Sequence, residues 1–233
     1  LPAITVREGG ASLSVSGKVD RVDGWLHDGK LYLRVVDYKT GQKSFDLTDI
    51  RYGLGIQMLL YLFTLEREGA SYFGHPIVPC GVLSQPARSV ILRQDRGISD
   101  EKLKAALQKE LRRTGLVLGE PQILQAMEHY DGEPQYLPVQ LKKDGLTGDL
   151  ATPAQLAALE RFVTGQVAAM IDEILSGKTQ PNPVDRGPAD SACRWCDYSS
   201  ACHKDVCAVS PRRFAAVKAD EFWQEIERRQ RHG

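Results

Sequence analysis

The chain has 233 residues, 42% of them hydrophobic, which suffices for one compact domain with a real core and argues against two independent ones. Thirty basic and thirty acidic residues cancel to a formal charge of zero, a poor match to a protein that holds DNA by a broad basic surface. No stretch approaches the roughly 20 apolar residues that span a bilayer, and no charged segment followed by an apolar one opens the chain, so the sequence predicts a cytoplasmic protein without a membrane part.

Residues Leu1 to Val15 are expected to lead in as an edge strand with Gly9 and Gly10 at a turn, and the start at Leu1 without a Met reads as that of an excised fragment. The next stretch carries the strongest local signal. Gly17 to His27 and Lys30 to Gly41 alternate apolar and polar residues around Asp28-Gly29, a pair suited to a two-residue hairpin turn. Such a turn sets the register. Pairing His27 with Lys30 and counting back places Trp25 opposite Tyr32, Asp23 opposite Arg34 as a cross-strand ion pair, and Asp20 opposite Asp37.

Leu26, Val22 and Asp20 then share one face with Leu31, Val35 and Asp37, and Lys39, two residues on, joins them. Facing carboxylates with β-carbons about 5 Å apart repel unless a cation lies between them. A divalent metal resolves the conflict. Mg2+ takes one or two carboxylates plus water and phosphate oxygens, and it lowers the pKa of bound water. Lys39 is placed to orient or deprotonate an attacking water. The plain alternative is a pair of solvated residues near strand ends.

Ser44 to Asp49 offers capping residues, and a helix is expected from Leu47 through Glu68, ending at Gly69. Gln57 and Tyr61, four apart, share a face of it; alone, they read as the polar edge of an otherwise buried helix. Val78 to Leu83 reads as a further strand of the central sheet, with Cys80 a buried small hydrophobe. Ser99 to Arg113 reads as a charged amphipathic helix, and Lys142-Lys143 as a solvated turn with phosphate contact as the alternative. Thr152-Pro153 supplies a cap and a first-turn proline for a helix through Leu175. Gly177 to Asp190 reads as a proline-rich linker, and a final amphipathic helix is expected from Ser210-Pro211 to Arg231.

Five cysteines, an odd number gathered toward one end, point to metal binding in a reducing compartment rather than to disulfides. Cys193, Cys196 and Cys202 place three thiols close together in the chain, with Cys207 shortly after, a spacing that lets several thiolates meet one metal centre. The readings are an iron–sulfur site, a zinc site closed by Cys207, or free cysteines. Trp195 and Tyr198 are expected to shield the site.

Three motifs carry a resemblance. Gly17-x-x-Asp20-Arg21-x-Asp23, then Val36-Asp37-Tyr38-Lys39-Thr40-Gly41, then Tyr52-Gly-Leu-Gly-Ile-Gln57-Met-Leu-Leu-Tyr61-Leu62 together resemble the PD-(D/E)XK nuclease superfamily, and within it the RecB-type nucleases of AddB-type helicase–nuclease proteins. The resemblance covers nearly the whole chain, including an insertion around Thr114 to Pro121 and Gln140 to Leu146. It implies a restriction-endonuclease-like α/β fold, a mixed β-sheet core flanked by helices, with a C-terminal cysteine-rich metal-cluster segment. It implies one nuclease domain over 1–233, with a catalytic sheet and helix in 1–95, a helical insertion and packing helix in 96–176, and the cysteine cluster and last helix in 177–233.

By the same resemblance, Asp20, Asp37 and the Tyr38 carbonyl hold Mg2+, for which Mn2+ can substitute, and Lys39 positions the nucleophile. Gln57 and Tyr61 contact DNA or steady the catalytic strand. Cys193, Cys196 and Cys202 bind a [4Fe–4S] cluster whose fourth cysteine lies far upstream in the full-length protein, unless Cys207 or His203 substitutes. The superfamily's first helix, often a source of another acidic or histidine ligand, has no counterpart before Gly17. The implied activity is exonuclease-type hydrolysis of a DNA strand fed from an unwound duplex end by an AddA-like helicase–nuclease partner, in recombinational repair. Gly24 to Lys30 has the spacing Gly-x-x-x-x-Gly-Lys, but Leu31 follows where a phosphate-binding loop needs Ser or Thr, so ATP hydrolysis belongs elsewhere. The rival from another class is a non-catalytic clamp on DNA ends that retains the nuclease fold, against which the intact Asp20, Asp37 and Lys39 speak.

Overall fold

The computed structural model describes residues 4–8, 11–41, 44–93, 97–187, 191–202 and 211–231. Strands β1 (Ile4–Glu8) and β2 (Ala11–Val15) pair only with each other, as a separate two-stranded sheet, and not at the edge of the central one as expected. The hairpin follows as read. Strands β3 (Arg21–His27) and β4 (Lys30–Lys39) pair antiparallel with His27 opposite Lys30, Trp25 opposite Tyr32 and Asp23 opposite Arg34. Asp28 and Gly29 both take positive φ, 48° and 72°, as a type I′ turn demands; aspartate tolerates that region and glycine enters it freely.

The helix expected over Leu47 to Glu68 is two helices. Helix α1 (Leu47–Arg51) is capped by Asp46, whose carboxylate accepts from Thr48 N at 2.7 Å, and it stops where Gly53 and Gly55 take φ of 76° and 67°. Those left-handed positions break the helical ladder, which restarts as α2 (Gln57–Phe73). Gly69 does not end α2. A β-carbon there would meet Ile77 Cγ1 at 3.1 Å, so Gly69 permits a close approach of α2 to the next strand, and the helix ends at Gly74 with φ 73°.

Strand β5 (Ile77–Pro86) lies parallel to β4, a crossover made possible by the helices between them. Helix α3 (Asp100–Leu111) is capped by Ser99. Residues 114–118, expected to belong to an insertion, form β6 (Thr114–Leu118), antiparallel to β5 and part of the central sheet. Helix α4 (Pro121–Met127) then precedes a separate hairpin of β7 (Val139–Lys142) and β8 (Gly145–Gly148), at whose turn Lys142 and Lys143 are exposed. Strand β9 (Leu150–Ala151) completes the sheet, parallel to β6, giving the order β3-β4-β5-β6-β9. Helix α5 (Pro153–Leu175) has the expected bounds. Thr152 Oγ1 accepts from Gln155 N at 3.2 Å while Gln155 Oε1 accepts from Thr152 N at 2.9 Å, a reciprocal cap.

The described chain divides into two compact units. The first, Leu1–Thr5, Ser14–Phe45 and Ile56–Val163, contains the central sheet. Val35 and Leu33 of β4 are buried along with Leu59, Leu62 and Phe63 of α2, which packs on β4 and β5. Val36, on the opposite face from Val35, joins Leu83, Val117, Leu124, Leu137 and Val139 in a second apolar cluster. Apolar cover on both faces is what holds β4 rigid.

The second unit, Val6–Leu13, Asp46–Gly55 and Thr164–Gly233, holds α1, the end of α5, and the C-terminal elements β10 (Val184–Asp185), α6 (Ser199–Cys202), β11 (Arg212–Arg213) and α7 (Ala219–Arg231). Residues 211–218 are not helical. They run extended, with β11 parallel to β10 and Val217 N donating to Thr48 Oγ1 at 3.2 Å, so the last helix starts at Ala219 and buries Phe222, Trp223 and Ile226.

Candidate active site

The ladder between β3 and β4 ends one residue short of Asp20, and the side chain of Asp20 takes over where the backbone stops. Asp20 Oδ2 accepts from the Tyr38 backbone N–H at 3.1 Å. This carboxylate is tied to the peptide joining Asp37 to Tyr38, on the strand that carries both other site residues. Asp37 is paired with Ser84 of β5 and mostly buried; Lys39 Nζ stands 2.5 Å from Asp37 Oδ2. That ion pair is the one interaction that reaches the buried Oδ2 among the described residues. A buried carboxylate oxygen held by one ammonium alone keeps lone-pair capacity for a further cation or a proton donor from solution.

The reverse face of the same hairpin is locked by charge. Arg34 Nη2 lies 2.9 Å from Asp23 Oδ2, the cross-strand pair the register requires, and Arg21 Nε lies 2.5 Å from Asp23 Oδ1. Burial alone would push the Asp23 carboxyl up, but the hydrogen bonds from Arg21 and Arg34 outweigh it and hold that carboxyl below its usual value. Arg21 Nη1 also donates to Tyr38 Oη at 3.3 Å, and this bond, with the Asp23 pair, raises the Arg21 pKa. Tyr38 is therefore gripped twice, by Asp20 at its backbone and by Arg21 at its ring. Held in this way between Asp37 and Lys39, Tyr38 fixes the direction of its neighbours.

On α2, Gln57 Nε2 donates to Tyr61 Oη at 2.8 Å, as the four-residue spacing allows. Tyr61 rests on Gly17, where a β-carbon would fall 2.4 Å from both Tyr61 Cε1 and Oη. The structure thus brings Gln57 and Tyr61 to the segment that leads into Asp20. Sequence reasoning missed why Gly17 is glycine; the signal was its place three residues before Asp20 with no turn to explain it.

The donor set fits a hard divalent cation in kind. Two carboxylates, one with a buried oxygen, lie beside backbone carbonyls and a lysine that already offsets part of their charge. Mg2+ needs no closed cage of side chains, since water and phosphate oxygens fill its remaining positions. Among the described residues there is no group of three or more His, Cys, Asp or Glu that could hold a metal.

That last observation bears on the cysteines. Cys193 lies in a 3-10 turn (Ala192–Trp195), Cys196 follows it and Cys202 ends α6, all three as free thiols with Cys196 exposed. Their thiolates suit iron in kind, but three ligands do not close a cluster, and His203 and Cys207 lie outside the described residues. Trp195 and Tyr198 do not shield the segment. They are 80% and 76% exposed, because the short turns that carry them point no apolar face at a core. Cys80, in contrast, is buried as expected, and burial, then Glu120, pushes its thiol up to about 12.

The chain has relatives among described proteins. Three bacterial proteins, each described as one of the subunits of an ATP-dependent helicase/deoxyribonuclease, are similar along nearly the whole chain. That of Acetivibrio thermocellus is 30% identical over 95% of this chain, that of Clostridium acetobutylicum 33% over 97%, and that of Desulforudis audaxviator 34% over 93%. This chain covers 20%, 20% and 19% of those proteins, so it spans about a fifth of their length. A comparison with protein families matches residues 3–203 to the PD-(D/E)XK nuclease superfamily. With the mixed sheet, the Asp20–Asp37–Lys39 constellation at the open end of its hairpin, and a family match over most of its length, the chain belongs to the PD-(D/E)XK nuclease superfamily.

Proposed function

We propose that the chain hydrolyses DNA phosphodiesters in a metal-dependent reaction, as the nuclease domain of a helicase–nuclease that processes broken duplex ends. The observation that carries this reading is the buried Asp37 Oδ2, held by Lys39 alone, on a strand whose Tyr38 N–H is bonded by Asp20. A non-catalytic clamp would have no use for it.

Asp20, Asp37 and the Tyr38 carbonyl would hold Mg2+, which supplies a water of lowered pKa and offsets charge on the phosphoryl oxygens when bound. The chain's own residues do the rest. Asp20, restrained by the Tyr38 N–H, and Asp37, buried in the sheet, present their oxygens from a backbone that does not have to reorganise as charge develops. Lys39 spends its charge on Asp37 in the resting site and has donors left to orient the attacking water or the phosphate. The water gives a proton up to solvent as its oxygen bonds to phosphorus, the bond from phosphorus to the leaving oxygen breaks, and that oxygen takes up a proton from solvent. Tyr61 and Gln57 keep the segment before Asp20 in place and offer a hydroxyl and an amide to the DNA strand.

The strand is taken to arrive single from an unwound end, delivered by an AddA-like partner protein, in the cytoplasm. No helix among the described residues is long and apolar enough to cross a membrane. Cys193, Cys196 and Cys202 are taken as three ligands of a [4Fe–4S] cluster completed by a ligand outside the described residues. Iron content of the intact protein tests this, and zinc in place of iron overturns it.

The central test is Asp37→Ala in the intact protein. It removes a carboxylate and no apolar packing, so cleavage of a single-stranded oligonucleotide falls by at least about 100-fold while folding is kept. Cleavage within tenfold of the parent overturns the assignment. Lys39→Ala lowers cleavage as well but leaves metal binding, read by calorimetry, largely intact.

A further inference from the structure

A cavity of about 420 Å3 opens beside Lys39, between the end of β5 and the end of α3. Its size falls within the range of ligand pockets, about 300–1,000 Å3. Lys39, Arg88, Lys109 and Arg112 line it, and Glu110 is the one acidic side chain among its lining residues. With Lys39 offset by Asp37 and Arg88 by Glu110, Lys109 and Arg112 give this concave place an excess of positive charge that draws anions.

The cations are not equally free. Arg112 donates from Nε to the Leu137 carbonyl at 2.8 Å and from Nη2 to the Val139 carbonyl, which leaves its charge in place and its position fixed. Arg88 Nη2 lies 2.7 Å from Glu110 Oε2, a pair that aims the guanidinium while leaving most of its donors unspent. Lys109 is exposed, in the last turn of α3. Two held guanidinium groups and one exposed ammonium make a receptor for an oxyanion. Ser84 and Thr114 add hydroxyls at the cavity wall. Ser84 is the strand partner of Asp37 and Lys39 is its ion-pair partner, so two residues of the cavity wall adjoin that carboxylate.

We propose that this cavity is a phosphate subsite that holds the backbone of single-stranded DNA next to the bond being cut. The proposal rests on the nuclease reading above and extends it by naming what grips the strand on the Lys39 side. Recognition is by backbone charge, not by base edges, so the contribution is the same for any sequence. Lys109 and Arg88 act as positioning residues. They hold a phosphate that does not react.

The test is steady-state cleavage of single-stranded oligonucleotides of two unrelated sequences by the full-length protein, across a range of salt, with Lys109→Gln and Lys109→Arg compared with the parent. Lys109→Gln raises KM roughly fivefold with kcat unchanged, on both sequences alike. The slope of log kcat/KM against log salt becomes shallower by about 0.7, one phosphate contact on a single strand. Lys109→Arg restores both. Arg88→Gln moves KM and slope the same way. An unchanged slope for Lys109→Gln with a parent that cleaves normally overturns the subsite and leaves the nuclease reading standing. A parent that cleaves neither oligonucleotide overturns both.

Discussion

Gly17→Ala measures how firmly the helix that carries Gln57 and Tyr61 is seated against the segment before Asp20. The added β-carbon would lie 2.4 Å from Tyr61 Cε1 and Oη and 2.7 Å from Cζ, whereas carbon contacts settle at about 3.5–4.0 Å. Either the phenol or the Gly17 backbone must give way by about 1 Å. The phenol is not free to swing, since it holds the 2.8 Å bond from Gln57. Overpacking of this kind costs about 1–3 kcal/mol, and loss of the Gln57 bond adds up to about 1 kcal/mol. A central figure of about 2 kcal/mol lowers the melting temperature by about 4–8 °C for a chain of this size. Thermal unfolding followed by circular dichroism reads the stability, and cleavage of a single-stranded oligonucleotide well below the transition reads the site. Cleavage should fall because Asp20 moves with Gly17. The decisive step is the double variant with Tyr61→Ala. Removing the ring removes the clash, so the two losses combine to less than their sum by more than about 1 kcal/mol. Strictly additive losses would refute the seating of Tyr61 on Gly17.

Asp23→Asn weakens the bridge to Arg21 and Arg34 and costs about 1–2 kcal/mol near neutral pH, less than a fully buried pair because the group is partly solvated. The folded pKa of Asp23 lies below its unfolded value of about 3.9, so its stabilisation is present above about pH 4 and is lost as pH falls through the folded value. Urea midpoints at neutral and at acid pH should therefore fall more steeply for the parent than for Asp23→Asn, and parallel curves would remove Asp23 from the acid response. Asp20→Glu keeps the charge but adds a methylene, which overshoots the Tyr38 N–H; cleavage drops by about 100-fold with stability within about 1 kcal/mol of the parent, and full activity in a cleavage assay would show that the 3.1 Å bond is dispensable.

The hairpin is legible in the sequence because two independent signals agree there: Asp28-Gly29 sets the turn and the alternation on both arms sets the faces, so the Asp23–Arg34 pair follows by counting. The long helix misleads because apolar spacing continues from Leu47 through Leu65 across Gly53 and Gly55, and periodicity alone does not register two residues in left-handed conformation. Gly69 misleads in the opposite sense, since a glycine needed for close approach to Ile77 looks in sequence like a stop. The strand Thr114–Leu118 is hidden by its brevity: a short apolar run after a helix has no alternation to betray it, and its partner β5 lies far back in the chain. Trp195 and Tyr198 show the limit of inferring burial from residue type, as aromatic rings on a short turn have nothing to pack against. The cavity beside Lys39 leaves no local signature at all. Its cations come from separate stretches of sequence, and a whole-chain charge of zero conceals their convergence.

The arc from Asp20 to Asp37 behaves as a ruler. Because the side chains of paired strands alternate in step, adding or deleting a single residue anywhere along that arc would turn one carboxylate to the wrong side of the sheet, however conservative the change in composition. Substitution is a different matter: Trp25 and Tyr32 face each other near the far end, with ring centroids 5.4 Å apart, and other apolar pairs would serve the strand pairing as well. The hairpin can therefore drift in chemistry while its length stays frozen, and a variant of this domain with an odd change in length between the two aspartates should be read as inactive before any of its other residues are considered.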